Sequence, residues 1–292
     1  MYEKVNYGKR RIITLIVVLV LAAGTAAGIA WNAGAFKGPG GLRAAPVAGV
    51  TPLDNNCSGG YVTFTFDDGP GPAPGFSGHT QSVINELVAL HLQAVFFVIG
   101  KNITLNPLGA QIIREEVYYG NLVENHTYTH ASFTGYSDDK SPLTLTQVAS
   151  ELTEGDAAIM AAGAPMPTLY RPPFGDVTAA DNQVAAGLGL RIVMDYGRKG
   201  SNTILDSLDW EPISPAQIVH NVTHGYFQAK RWVPPMHAGT IIAMHDADAY
   251  AANTVASLPG IVSYMNAHDF CATTKVPANA TGNVVPDYPV TG

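Results

Sequence analysis

Two hydrophobic periods take turns along this chain. At 61–66 apolar and polar residues alternate singly, the spacing of a half-buried strand, whereas 94–100 (AVFFVIG) is a continuous apolar run of the kind buried in parallel sheets. Between them Val83, Ile84, Leu87, Val88 and Leu90 recur at helical spacing. The succession continues with helices predicted at 107–118, 146–162, 178–188, 215–230 and 254–268, and strands running into His126, over 191–197 and over 240–246. Strand and helix alternate throughout, with no internal repeat. That predicts an α/β fold with a largely parallel sheet, in a single domain.

Residues able to do chemistry fall where the strands run out. In a β/α barrel those ends gather on one face, so one site explains them together. TFTFDDGP ends a strand in two adjacent carboxylates, Asp67 and Asp68, before a Gly-Pro turn. One Asp suffices for a turn; two repel each other, and a bound cation is the simplest compensation. His126 and His130 (HTYTH) are spaced i, i+4, which brings both imidazoles to one face if the segment is helical. Two imidazoles and one carboxylate with an open position are the pattern of catalytic zinc. A second pair, His220 and His224, lies inside a predicted helix with no carboxylate nearby in sequence and reads as helix surface.

Three further segments carry candidates. RPPFGD places Arg171 in a stiff loop, where a guanidinium can orient a carboxylate. DSLDW offers Asp206 and Asp209 before Trp210, either a cap and a core indole or a carboxylate beside a ring suited to stacking on sugar. IIAMHD ends in His245, a structural residue or, paired with a carboxylate, a proton donor near neutral pH. Neither a Gly-x-Ser-x-Gly elbow nor a phosphate-binding loop occurs, which leaves serine-hydrolase and nucleotide chemistry unsupported.

Composition adds the compartment. The chain has 292 residues, 47% hydrophobic and 13% charged, enough for a sizeable core, and its net charge of −7 with no basic stripe excludes nucleic acid as a natural partner. Lys4, Lys9, Arg10 and Arg11 precede an uncharged apolar run, so residues 1–35 read as a cleaved signal peptide or an uncleaved anchor spanning 12–31. Either places the remainder outside the cytoplasm. A Gly-, Pro- and Ala-rich linker follows at 36–56, and 276–292 form a tail. Cys57 and Cys271 flank the domain, and an oxidising compartment favours a disulfide between them. Five N-x-S/T sequons occur, at Asn56, Asn102, Asn125, Asn221 and Asn279.

Taken in order, TFDDGP, HTYTH, RPPFG, DSLDW and IIAMHD resemble the five motifs of the polysaccharide deacetylases, the NodB-homology domain of carbohydrate esterase family 4. The resemblance covers about residues 57–275. It implies a distorted, seven-stranded (β/α) barrel and metal-dependent removal of N- or O-acetyl groups from an extracellular or cell-wall glycan, N-acetyl groups of an N-acetylglucosamine polymer being the leading expectation. Carried over by position, Asp68, His126 and His130 hold the divalent metal, usually zinc, with cobalt an alternative. Asp67 is the general base and Arg171 its partner; Asp209 tunes His245, the general acid. The Phe174 amide binds the oxyanion, Trp210 walls the groove, and Met244 lines the pocket for the acetyl methyl. Phe174 and Met244 depart from the Tyr and Leu usual there.

Overall fold

The computed structural model describes residues 56–194, 203–228 and 230–276; the N-terminal segment, the linker up to residue 55 and the tail from 277 lie outside them. The long first strand, β1 (Gly60–Asp67), alternates as its sequence does. Val62, Phe64 and Phe66 enter the main core beneath the helices, and Thr63, Thr65 and Asp67 point to the other face, inside the curl of the sheet. Its neighbours are β2 (Val95–Val98) and β9 (Ile241–His245), both parallel to it.

Outward from β2 run β3 (Leu122–Asn125), β4 (Leu169–Tyr170) and β5 (Arg191–Ile192), and outward from β9 runs β6 (Ile204–Asp206). The order β5-β4-β3-β2-β1-β9-β6 is an all-parallel path of seven strands; the alternation predicts the parallel sheet and the family resemblance implies the seven strands. Parallel neighbours need crossovers, and helices supply them. These are α1 (Thr80–Ala89), α2 (Gly100–Leu105), α3 (Gly109–Tyr118), α4 (Leu145–Ala162), α5 (Ala179–Gly187), α6 (Pro215–His224) and α7 (Ala251–Ala267). Thr144 and Thr178 open α4 and α5 with reciprocal capping boxes.

Two elements differ from the periodicity. Helix α2 fills the interval between the strand predicted at 94–100 and the helix predicted at 107–118, for which the periodicity predicts no element, and the predicted helix at 215–230 stops at His224. Gly225 ends it, with φ 76° and ψ 175°, a conformation closed to residues with a side chain. The chain then forms an antiparallel hairpin, β7 (Tyr226–Gln228) and β8 (Arg231–Val233), outside the main sheet. The strand predicted at 191–197 is short, and its last residues lie outside the described ones.

A last strand, β10 (Phe270–Ala272), pairs with the first residues of β1 and brings Cys271 to Cys57. Their Cα atoms are 5.2 Å apart and the sulfurs are bonded, closing a loop of 214 residues. Replacing both cysteines by serine is expected to lower unfolding free energy by about 2–4 kcal/mol, since a long loop is released in the unfolded chain. Urea melts of the variant and of the oxidised protein check this; coincident midpoints refute it.

Candidate active site

Strand parity delivers the side chains. Asp67 is the last residue of β1 and faces the interior of the curl, where Arg171 reaches it from the end of β4. The guanidinium Nη1 lies 2.7 Å from Asp67 Oδ1 and 2.9 Å from Thr65 Oγ1, its Nε donates to the Val193 carbonyl, and its plane sits 4.3 Å over the Phe97 ring. Both partners of this ion pair are buried, so their separation has a large energetic cost. Arg171 is thereby fixed rather than free to sample rotamers.

Asp68 leaves the strand with φ 79°, which turns its carboxylate away from Asp67 and toward the histidines. Its Oδ1 lies 3.0 Å from His130 Nε2 and 3.4 Å from His126 Nε2. The spacing of HTYTH suggests a helix; the structure has none there. Thr127 and His130 both take positive φ, 67° and 63°, and the His126 and His130 rings meet 5.0 Å apart from a tight turn. The turn is built by its neighbours. Asn125 Oδ1 accepts from the Thr127 amide, and Glu151 on α4 accepts from the amides of Tyr128 and Thr129. Those donors replace the intrahelical bonds.

Asp68, His126 and His130 bring one ligand atom each within 4.8 Å of one another. The donor set fits a divalent cation. His126 Nδ1 is 2.7 Å from the Arg171 carbonyl, a group that can only accept, so the proton sits on Nδ1 and Nε2 offers its lone pair. Asp68 Oδ1 is buried without a hydrogen-bond donor.

Opposite this cluster stands His245, at the end of β9. Asp209, buried in the loop after β6, accepts from both the His245 amide and Nδ1 at 2.8 Å, and from Thr254 Oγ1 at 2.7 Å. Nδ1 is therefore the donor, and Nε2 faces the pocket, to which 20% of the side chain is exposed. Burial lowers the His245 pKa; the Asp209 carboxylate and, more weakly, Asp68 and Asp67 raise it, and the net position is well above the usual imidazole value.

Asp67, Asp68, His126, His130, Arg171 and His245 line one pocket of about 290 Å³, walled by Phe174 and Trp210. Trp210 is held by its indole N–H, which donates to the Asp206 carboxylate at 3.2 Å. Phe174 has φ 59°, an uncommon conformation for an aromatic residue, and its ring packs edge-on against His130 at 4.6 Å. Met244 departs from expectation. It is fully buried in the main core beside Phe64 and Phe66 and does not line the pocket. Parity is the reason: His245 faces the interior of the curl, so the residue before it faces the helices. The His220/His224 pair stacks at 4.9 Å on α6, separate from the Asp/His/His cluster.

The structure adds residues that sequence reading missed. Asp248 lines the pocket, three positions after His245. Asn102 donates to the Asp68 carbonyl at 2.9 Å, and Asn125 and Asn221 are likewise buried and hydrogen-bonded, so three of the sequons are structural amides. Asp246, buried behind the turn, is pushed up to about 7 by burial and the nearby charges of Asp68 and Asp67. A Cβ on Gly69 would stand 2.5 Å from Asp246 Oδ2. Gly69→Ala is thus expected to displace the turn carrying Asp68, weakening metal retention and lowering stability by about 1–3 kcal/mol. Metal content after dialysis, read beside a thermal melt, checks both effects.

A curled parallel sheet with a largely buried Asp/His/His cluster beside the Asp67–Arg171 and His245–Asp209 pairs defines a class that sequence comparison places directly. The polysaccharide deacetylase family model matches residues 54–193, and the chain belongs to this family, carbohydrate esterase family 4. A family 4 carbohydrate esterase of Streptomyces lividans is 33% identical, with a TM-score of 0.60 over 79% of this chain and 100% of that one. A bifunctional xylanase/xylan deacetylase of Cellvibrio japonicus is 33% identical over 218 residues, 74% of this chain and 27% of that protein. A peptidoglycan-N-acetylglucosamine deacetylase of Listeria monocytogenes is 26% identical over 185 residues, 63% of this chain and 32% of that protein. The chain thus spans about a third or less of these two curated relatives. Among the described residues no helix is long and apolar enough to cross a membrane.

Proposed function

We propose that this protein hydrolyses acetyl groups from an N-acetylglucosamine-containing polysaccharide outside the cytoplasm, with the pocket between Asp67 and His245 as its active site. The observation that carries this reading is that Asp67, paired with Arg171, and His245, held from behind by Asp209, open on one pocket with Asp68, His126 and His130. Asp68, His126 and His130 would hold a divalent cation, zinc or cobalt, which would supply Lewis acidity to the acetyl carbonyl and to the attacking water.

The chain's own groups do the rest. Asp67, oriented by Arg171, takes the proton of the attacking water. The Phe174 amide meets the negative charge that develops on the acetyl oxygen, where a fixed donor contributes about 3 kcal/mol. His245 passes its proton to the departing sugar nitrogen, without which an amine is a very poor leaving group. Trp210 offers a face to the sugar ring. Asp209 keeps His245 charged and oriented.

The same groups serve an O-acetyl ester, and the likeness to a xylan deacetylase favours that second reading. The disulfide agrees with an oxidising compartment, reached through residues 1–35 as signal or anchor, ahead of a linker at 36–56 and a catalytic domain at 57–275. The deciding experiment is acetate release from chitin oligomers, peptidoglycan and acetylated xylan, with zinc or cobalt added and with a chelator. No acetate from any of them sinks the proposal, and release from xylan alone selects the second reading.

A further inference from the structure

The hairpin β7–β8 presents two faces of opposite character. Tyr226 pairs with Val233 across the ladder and Phe227 with Trp232, so alternation puts the two pairs on opposite sides. The first side faces the body. Val233 packs against the main core, and the Tyr226 phenol donates to the Asp206 carbonyl at 2.6 Å. The second side carries Phe227, 75% exposed, and Trp232, 46% exposed, with ring centroids 5.0 Å apart. The indole lies over Gly225, where a Cβ would stand 2.8 Å from it. Core packing accounts for the inner pair; it does not account for two aromatic rings turned to water.

We propose that Phe227 and Trp232 form a second contact surface for the polysaccharide, stacking on sugar rings of the same chain some distance from the sugar held in the pocket. The inference rests on the deacetylase reading above. Its occupant follows from where the hairpin is tied. Asp206 serves both places: its carboxylate lines the pocket and anchors Trp210, and its carbonyl holds Tyr226, the residue before Phe227. The flat C–H-rich face of a pyranose matches the negative face of an aromatic ring. A polymer repeats that face along its length, so a chain gripped at the hairpin is presented to the pocket at high effective concentration.

The test uses Phe227→Ala/Trp232→Ala, with Phe227→Ser as a milder variant at a ring that packs little, and Trp232→Phe to keep a ring. Retention on colloidal chitin and on insoluble acetylated xylan is measured with chelator present, so that binding is read without turnover. The double variant is expected to lose retention by about 5-fold or more, the usual consequence of truncating an interfacial aromatic. KM for the polymer rises in step while kcat and hydrolysis of p-nitrophenyl acetate hold, Phe227→Ser moves the same way, and Trp232→Phe restores part of the loss. Wild-type retention in a variant with an unchanged melting midpoint overturns the inference. So does a parallel loss of small-ester activity, which marks the hairpin as a scaffold for Asp206, or a change only in oligomeric state by light scattering, which marks a self-association patch. Should the unaltered protein bind polymer through these rings yet release no acetate, the deacetylase reading fails alone.

Discussion

Asp67→Asn is expected to keep its metal and lose at least ~10²-fold in turnover, because proton acceptance disappears while all three ligands remain. Asp68→Asn is expected to fail the other way. It removes the anionic ligand, so metal affinity itself falls and excess zinc restores part of the activity. The structure separates the two by one residue of backbone: Asp67 ends the strand and meets Arg171 at 2.7 Å, and Asp68, at φ 79°, turns to His130 at 3.0 Å. Metal content by mass spectrometry beside acetate release distinguishes the variants. Loss of metal in Asp67→Asn with retention in Asp68→Asn reverses the assignment, and full activity in Asp67→Asn removes the proposed mechanism.

Asp209→Asn is expected to lower turnover by about 10²-fold and to move the alkaline limb of the pH–rate profile to lower pH. The sign follows from the proton-donor role proposed for His245. A proton donor works only while protonated, so the rate falls as pH rises through its pKa. Burial pulls that pKa down, and the Asp209 charge, with its hydrogen bond, is the largest influence holding it well above the usual value. Removing the charge lets the pKa drop, and the limb follows. Rate profiles of the two proteins with zinc saturating decide the point; an alkaline limb that stays in place assigns the titration to another group. Replacing His245 by Ala should abolish the limb together with most of the activity.

Much of the site was legible because its residues sit where a strand's period breaks. TFTFDD alternates up to Asp67 and then adds a carboxylate with no place in a ladder; IIAMHD is apolar until His245. Such breaks need no partner to be noticed. The supporting residues gave no such sign. Glu151 is an ordinary exposed-type residue of α4, yet it accepts the amides of Tyr128 and Thr129. Asn102 and Asn125 spell sequons, and their work is to hold the Asp68 carbonyl and the HTYTH turn. Met244 shows the opposite case: its motif points to the pocket, but the parity that its neighbour His245 imposes turns it into the main core. Apolar spacing that continues through Tyr226 predicts a helix to 230, and the conformation of Gly225 alone overrides that spacing at His224.

By itself the sequence determined the α/β class, the largely parallel sheet and which residues are candidates for chemistry, since hydrophobic period and side-chain type are local properties of the chain. Which groups meet was decided only by the tertiary structure. Arg171 and Asp67 are 104 residues apart, His245 and Asp209 36 apart, and Cys57 and Cys271 214 apart. The direction of each carboxylate likewise depends on strand parity, on positive backbone angles at Asp68, Thr127 and His130, and on amides from other elements that stabilise them. The physical reason is that distances and angles between distant segments are set by packing of the whole sheet against its helices, a property that no short window of sequence contains.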